Sequence, residues 1–416
     1  MKASIARETS ALQSLADVGE LIRRRQMSPV ELVRTCLERI ERLQPRLNTF
    51  ITLAAGAALD AAKAAEAEIQ QGRWKGPLHG IPVGVKDLYD TAGLRTTAAF
   101  KRFTDRVPAT DAVAVDALKQ AGAIVIGKTN MHTLGTGTTG LESFFGPVKN
   151  PWNADYIPGG SSSGSAAAVA SGLCYATLDT DAIGSCRLPA ACCGVVGYKG
   201  SYGAIDMTGI LAGERPPDEM IRWLAHAGIC TRTVGDTALV LDVLVARPQG
   251  AWTWHEALAS DRQLCVGVAD NVKAHKDVST AFEKAVDTIR ARGHQMNSAG
   301  APFIDLRKGI ANIERDRRAI CDRAFKQIDV LVLPTTPTAT PTVTHAAGNP
   351  QALSPELTMF ANYYGLPAVS VLCGFDGRGL PVGLQIVGKP GDDRVVLQLA
   401  YQYELAAGFS TQHPID

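Results

Sequence analysis

The feature that most constrains the fold is the alternation of apolar runs with a helical pattern between residues 80 and 129. GIPVGVKDL (80–88) is a short strand-like run, DAVAVDALKQAG (111–122) has helical spacing, and AIVIGKT (123–129) is typical of a buried strand. Strands that alternate with helices predict an α/β core.

Similar patterns extend this core in both directions. MSPVELVRTCLERIERL (27–43) predicts a helix with Ser28 as N-cap and Pro29 at the first helical position, and an Ala-rich helix is expected around 54–71. Further strands are predicted at 329–334, 368–375 and 382–388, and a closing helix at 392–408. Since no repeat or Pro-rich linker divides the chain, we expect a single domain, 1–416. Its predicted parts are a helical segment at about 1–75, a core at about 76–245 and a C-terminal part at about 320–410, and 246–320 is the least patterned stretch.

Composition and charge exclude several classes of protein. Apolar residues make up 46% of the chain and charged residues 20%, which is typical of soluble globular proteins. The formal net charge of +1, without a long Lys/Arg run, gives no support for nucleic acid or an anionic membrane as partner. The N-terminus lacks the apolar region of a secretion signal, and no apolar run is long enough to span a bilayer. We therefore expect a cytoplasmic protein.

Cysteines and histidines give no sign of a metal site or a disulfide framework. The nine cysteines are scattered without a CxxC pair, which indicates reduced thiols. No HExxH motif or His/Cys cluster is present, so no metal site is expected.

Two glycine-rich stretches are poor matches to nucleotide-binding motifs. GTGTTG (135–140) is followed by Gly146, Pro147 and Pro151, which block the helix that a dinucleotide fingerprint needs. GGSSSGS (159–165) lacks the GK[ST] ending of a P-loop. We expect the first stretch to be a loop that lines something else.

Serine chemistry is the better hypothesis for the second stretch. No Gly-x-Ser-x-Gly elbow is present, but a serine can also be activated by a lysine. Lys86 ends an apolar run, and burial would lower its pKa and make it a general base. The alternative is a lysine that is paired with Asp87 or reaches solvent. Glycine-rich turns at 159–165 and 182–185 could supply backbone N–H donors to an oxyanion. The residues alone leave open which serine reacts.

Several motifs together resemble the amidase signature family. They are GIPVGVKD, GKTNMH, FGPVKNPWN, PGGSSSGSAAAVASG, DTDAIGSCRLPAACCGVVGYKGSYG, DVLVLPTTPT and GLPAVSVLCGFDGRGLPVGLQIVG. They occur in family order and cover roughly residues 15–408. The resemblance implies the amidase signature fold, an α/β architecture with a large mixed, mostly parallel central sheet covered by helices on both faces.

The resemblance also implies a Ser–cis-Ser–Lys triad. By motif match, Ser185 corresponds to the nucleophile, Ser161 to the bridging serine behind a cis peptide bond, and Lys86 to the base. The oxyanion hole would consist of the N–H groups of Ala182, Ile183 and Gly184. The neighbouring serines are expected to bond to the backbone and cap the Ala-rich helix: Ser162, Ser163 and Ser165.

The chain departs from the family pattern beside the predicted nucleophile. Where the family usually has Gly-Thr-Asp-Thr-Gly-Gly-Ser, this chain has Asp179 and Ile183 in place of glycines and Ala182 in place of threonine. A β-branched residue at 183 would be strained if that position needs a positive φ. Asp181 and Arg187 match the family and are predicted to form an ion pair, the alternative being two solvated charges. Between the segments 303–309 and 316–331 the chain is shorter than many members of that family, which have a longer helical stretch there. This difference predicts an open site or a partner chain that completes the site.

These observations predict an amidohydrolase without a cofactor, acting on a small-molecule amide (or a urea, carbamate or ester) through an acyl-enzyme on Ser185. We also expect a homo-oligomer, most simply a dimer. One alternative is the amidase-like subunit of a tRNA-dependent amidotransferase, although Leu188 stands where that subunit typically has glutamine. The other is a non-catalytic protein with the amidase fold.

Overall fold

One eleven-stranded sheet organises the protein, whose computed structural model describes residues 11–246 and 252–414. The strands are β1 (Phe50–Leu53), β2 (Pro82–Lys86), β3 (Ile124–Thr129), β4 (Ala176–Asp181), β5 (Val196–Lys199), β6 (His226–Thr231), β7 (Cys265–Ala269), β8 (Gln295–Ala299), β9 (Val330–Pro334), β10 (Ala368–Phe375) and β11 (Pro381–Gly388). Their order across the sheet is β1-β3-β2-β4-β6-β5-β10-β11-β9-β7-β8.

Helices of very different length accompany these strands. Within the described residues they are α1 (Leu15–Arg23), α2 (Pro29–Leu47), α3 (Ala55–Gln70), α4 (Val113–Gln120), α5 (Ser163–Ala170), α6 (Arg187–Cys193), α7 (Glu219–Leu224), α8 (Val234–Leu244), α9 (Lys276–Ala291), α10 (Ile313–Ala324), α11 (Val343–Ala346), α12 (Met359–Tyr363) and α13 (Asp393–Ala407). No helix in this part of the chain is long and apolar enough to cross a membrane.

Helices cover both faces of the sheet, as two glycines of β11 illustrate. A methyl group added to Gly383 would contact Ala191 of α6, whereas one added to Gly388 would contact Val396 of α13. Residues an odd number of positions apart in a strand point to opposite faces. Together with the mixed sheet, this arrangement confirms the predicted α/β class.

The expectation of a mostly parallel sheet is wrong in detail. The pairs β2–β3, β2–β4, β7–β8 and β7–β9 are parallel. The remaining six neighbouring pairs are antiparallel. For β10 and β11 the physical reason is the length of their connection. The turn 376–380 is too short for the crossover that parallel strands need, so these two strands form an antiparallel hairpin. Parallel pairing is therefore confined to two groups of three strands.

Most predicted elements occur where the sequence placed them. Ser28 caps α2 by accepting bonds from the N–H groups of Val30 and Glu31. The strands β2, β3, β9, β10 and β11 correspond, in this order, to the segments predicted near 80–88, 123–129, 329–334, 368–375 and 382–388. The stretch 246–320, which was expected to be the least patterned, contains β7, α9 and β8; residues 247–251 lie outside the described part. The apolar positions of α9 have helical spacing: Val278, Ala281, Phe282, Ala285, Val286 and Ile289.

Candidate active site

Lys86 is the last residue of β2, and its side chain is fully buried. Its Nζ lies 2.8 Å from Ser161 Oγ, 2.8 Å from Ser162 Oγ and 2.9 Å from Thr180 Oγ1. The strands β2 and β4 are parallel neighbours, so their carboxyl ends lie at the same edge of the sheet. This register brings Thr180, near the end of β4, next to the lysine.

The serine-rich segment reaches Lys86 from the other side. The Gly160–Ser161 peptide bond is cis, as the resemblance implies. The N–H of Ser162 donates to the carbonyl oxygen of Ser185 at 3.0 Å, which joins the two predicted catalytic segments. In this described region, no hydrogen bond joins the hydroxyl groups of Ser161 and Ser185 directly. Such bonds are often long in unliganded sites and shorten when substrate binds.

The expectation that the neighbouring serines cap α5 is wrong. Ser162 precedes the first residue of α5, but its side chain forms no capping bond; its hydroxyl instead accepts from Lys86. The hydroxyl of Ser165 is bonded to that of Thr129 at 2.7 Å, and the buried Ser163 Oγ has no partner among the described residues. The polar contacts of this segment therefore run to the sheet and to Lys86.

Asp181 holds the loop that carries Ser185. Its Oδ1 accepts from Gly184 N at 2.7 Å, and its Oδ2 accepts from Cys186 N at 3.2 Å. These two N–H groups flank Ser185, whose side chain is nearly buried at 3% exposure. A single carboxylate thus fixes the backbone on both sides of the predicted nucleophile.

The predicted ion pair between Asp181 and Arg187 is confirmed. Both side chains are fully buried, with Nη2–Oδ1 at 2.9 Å and Nε–Oδ2 at 3.0 Å. Burial by itself would raise the pKa of Asp181, but the charge and hydrogen bonds of Arg187 outweigh it and hold the pKa well below its usual range. The guanidinium also donates to Gln385 and Asn362, each at 2.6 Å. The charged groups of both side chains therefore have hydrogen-bond partners.

Replacing Arg187 should reveal how much this pair stabilises the fold. We expect Arg187→Met to lower the free energy of unfolding by about 3–5 kcal/mol, because a buried carboxylate would be left without its counter-charge. Chemical denaturation measures the change. The matched control is Arg307→Met, since Arg307 pairs with Asp305 but is 90% exposed, and exposed pairs contribute about 0–1 kcal/mol. Equal effects of the two substitutions would contradict this account.

The backbone of the loop leaves two of the three expected oxyanion donors unpaired. Gly184 N is occupied by Asp181, whereas the N–H groups of Ala182 and Ile183 have no acceptor among the described residues. The φ of Ile183 is not positive, so its β-branched side chain causes no backbone strain; the positive φ of 128° belongs to Gly184. The Ile183 carbonyl accepts from Thr358 Oγ1 at 2.5 Å. The loop therefore accommodates Ile183 without backbone strain at that residue.

Burial dominates the electrostatics around Lys86. It lowers the pKa of the Lys86 ammonium, and the negative charge of Asp179 is the largest opposing influence. A fully buried lysine with a lowered pKa is a candidate general base. Both Lys86 and Asp179 are completely inaccessible to solvent.

One described group of side chains has the composition of a metal site. Ligand atoms of Asp179, Cys186 and Cys230 lie within 4.8 Å of one another. The two Sγ atoms are 3.4 Å apart, and Cys186 Sγ also donates to the carbonyl of Ile229 at 3.3 Å. Burial raises the pKa of the Cys186 thiol, whereas a metal needs the thiolate, and the neighbouring Lys86 ammonium would repel a cation. We interpret the group as a hydrogen-bonded thiol pair.

The structure also shows what the sequence missed. Lys86 has two further hydroxyl partners, Ser162 and Thr180, that were not predicted from the sequence. The position of Thr180, one residue before Asp181, could have indicated that it lies near the site. The loop at 135–140 does line the site, as expected: a methyl group on Gly135 would lie 3.7 Å from Ser161 Oγ.

Comparison with known families and proteins identifies the family of the chain. The profile of the family described as Amidase matches residues 31–310 and 299–397. A glutamyl-tRNA(Gln) amidotransferase subunit from Geobacter metallireducens is 32% identical over 485 aligned residues, covering 96% of this chain and 98% of that protein. The alignment is longer than the 416 residues here, so that relative carries additional segments.

Solved structures share the architecture over almost the whole chain. The peptide amidase from Stenotrophomonas maltophilia superposes with a TM-score of 0.84 at 26% identity, covering 97% of this chain and 98% of that one. A 6-aminohexanoate cyclic dimer hydrolase gives 0.83 at 25% identity, covering 97% and 99%. The similarity therefore extends well beyond the segments around the site.

Proposed function

Because the chain belongs to the amidase family, whose members hydrolyse C–N bonds, we propose that it cleaves a small carboxamide, or a related urea, carbamate or ester, through an acyl-enzyme on Ser185. The observation that carries this proposal is the 2.8 Å contact between the buried Lys86 Nζ and Ser161 Oγ. It supplies a desolvated base in contact with a serine, beside a loop whose Ala182 and Ile183 N–H groups have no acceptor in the described part of the chain.

The proposed reaction uses the two serines as a proton relay. Neutral Lys86 accepts the proton of Ser161, which takes one from Ser185 as Ser185 Oγ attacks the carbonyl carbon. The N–H groups of Ala182 and Ile183 stabilise the oxyanion. The proton then passes to the leaving amine as the C–N bond breaks. Water hydrolyses the acyl-enzyme through the same relay and regenerates the Ser185 hydroxyl.

A serine-reactive fluorophosphonate tests the proposal before the substrate is known. We expect covalent labelling of the purified protein, located by peptide mass spectrometry at Ser185, and hydrolysis of at least one compound in a panel of small amides, ureas and esters. A folded protein that shows neither result would instead support the non-catalytic alternative.

A second candidate function is that of an amidotransferase component, favoured by the 32% identity to a glutamyl-tRNA(Gln) amidotransferase subunit. Leu188, which follows Arg187, opposes it, since that subunit typically has glutamine there. Glutamine hydrolysis separates the two functions. An independent amidase hydrolyses small amides without any partner, whereas an amidotransferase component should hydrolyse glutamine only within its complex.

Ile183→Gly should widen the range of accepted acyl groups. The Ile183 side chain packs against an apolar cluster that includes Leu224, Ile313 and Tyr363, two positions before the proposed nucleophile. Because one methylene in an apolar pocket changes kcat/KM by about 10–200-fold, we expect at least a ~10-fold gain for long acyl chains relative to acetyl. An anilide series of increasing chain length measures it. Ile183→Val, a matched control, should give a smaller gain, and an unchanged profile in Ile183→Gly would rule out crowding.

A further inference from the structure

We propose that Asp179 is a positioning residue for Lys86: its buried carboxylate holds a proton on the lysine and so controls when Lys86 can act as a base. This inference rests on the proposed function, because it concerns the same lysine. Asp179 stands in β4 where the amidase pattern has glycine, and a glycine could not influence Lys86 in this way.

The register of the sheet places the two side chains beside each other. Gly84 of β2 is paired with Thr177 of β4, so two residues further along these parallel strands Lys86 lies level with Asp179. A methyl group on Gly84 would lie 3.0 Å from Thr177 Cγ2, which shows that these two residues share a face. Residues two apart in a strand also share a face. Lys86 and Asp179 therefore lie on the same buried face.

Among the described residues, Asp179 is the buried carboxylate near Lys86 that no other cation neutralises. Asp181 is already held by two bonds to Arg187. Asp179 Oδ2 accepts from Thr177 Oγ1 at 2.6 Å, and its Oδ1 has no hydrogen-bond partner among the described residues. Because charges attract more strongly where water is excluded, the Asp179 carboxylate favours the protonated form of Lys86.

The directions of the pKa shifts agree with this arrangement. Burial lowers the pKa of Lys86 and the charge of Asp179 opposes that shift. Burial raises the pKa of Asp179 and the charge of Lys86 opposes it. Each group therefore helps the other to remain ionised. Lys86 should become neutral at a higher pH than it would without the carboxylate.

The other titratable groups around Lys86 do not replace Asp179. Asp181 is ionised and paired with Arg187. Burial raises the pKa of the Cys186 thiol, and the hydrogen bond to Cys186 raises that of Cys230, so both thiols remain neutral. His132 is also influenced by the charge of Lys86, and burial lowers the pKa of His132, which disfavours its charged form.

The pH dependence of Ser185 labelling tests the inference without a known substrate. In the wild type, the rate of fluorophosphonate labelling should rise with pH as Lys86 loses its proton. Asp179→Asn keeps the size of the side chain and can still accept from Thr177, but removes the charge. We expect it to move the midpoint of the rise to lower pH by a unit or more. One unit below the wild-type midpoint, a shift of one unit should then make labelling about 5-fold faster.

A second buried carboxylate provides the matched control. Asp236 at the start of α8 is also fully buried and also has one unpartnered oxygen. It accepts from Ala16 N and does not face Lys86. We expect Asp236→Asn to leave the midpoint unchanged.

Three results would overturn the inference. One is a folded Asp179→Asn protein whose midpoint is unchanged or higher, and another is a labelling rate reduced equally at every pH, which indicates a merely structural role. The third result concerns Asp179→Gly, which carries the family's residue and replaces Asp179→Asn if that variant does not fold. Asp179→Gly should shift the midpoint in the same direction, and an unchanged midpoint would overturn the inference. Failure of Ser185 labelling in the wild type itself would instead overturn the proposed function, and this inference with it.

Discussion

Ser185→Ala is expected to abolish hydrolysis of every amide substrate and all fluorophosphonate labelling, while the fold remains intact. The substitution removes only Oγ. The loop is held through backbone groups, because Ser185 O accepts from Ser162 N and the N–H groups of Gly184 and Cys186 donate to Asp181. Loss of a serine nucleophile that acts in a triad lowers kcat by about 10⁶-fold. Steady-state kinetics and thermal unfolding measure the two effects.

A neighbouring serine is the control for this prediction. Ser163 Oγ is buried and has no hydrogen-bond partner among the described residues, so Ser163→Ala removes a similar group that is not bonded to Lys86. This variant should keep its activity. If Ser185→Ala were still active, or if Ser163→Ala were equally inactive, the nucleophile would have been assigned to the wrong residue.

Lys86→Ala should lower kcat by several orders of magnitude, because the relay loses its proton acceptor. Lys86→Arg should restore little, since a guanidinium remains protonated throughout the accessible pH range. The sign of the pH dependence follows from the base role: only neutral Lys86 accepts a proton, so the acylation rate rises with pH through the lysine pKa. A flat acylation rate between pH 5 and 9 would contradict that role.

Lys128 separates the catalytic effect from the general cost of losing a buried lysine. It is also fully buried, near the end of the neighbouring strand β3, and burial lowers its pKa to about 8. It donates to Thr96 Oγ1 at 2.9 Å, and none of its bonds in the described part of the chain goes to either predicted catalytic serine. Lys128→Ala should therefore reduce stability while folded protein retains its activity and its pH profile. If Lys128→Ala lost as much activity as Lys86→Ala, both lysines would support activity only by stabilising the fold.

Much of the secondary structure could be predicted because its causes are local. Ser28 and Pro29 specify the start of α2 through bonds within one turn, and the apolar run 368–375 coincides with β10. The triad could be named because its motifs resemble those of a family; composition and spacing alone left the choice among the serines open. The helix α9 was also readable from its apolar spacing and was missed.

Three features depended on the tertiary structure. The mainly antiparallel pairing depends on which strands become neighbours, and adjacent positions in the sheet come from distant parts of the chain. The bond from Gly184 N to Asp181 depends on how the loop folds back on itself, and it leaves the N–H groups of Ala182 and Ile183 as the two expected donors without an acceptor among the described residues. Asp179 could be recognised as unusual in the sequence, but its place beside Lys86 follows from the parallel register of β2 and β4.

The sequence by itself therefore determined the α/β class, the positions of many helices and strands, and, through its resemblance, the residues of the proposed triad. Periodicity and capping act over a few residues, so they can be read along the chain. Only the tertiary structure decided the strand directions, the hydroxyl partners of Lys86 and the carboxylate that faces it. These are contacts between segments far apart in sequence, such as Lys86 and Thr180, which are separated by 94 positions, and their geometry exists only once the sheet has formed.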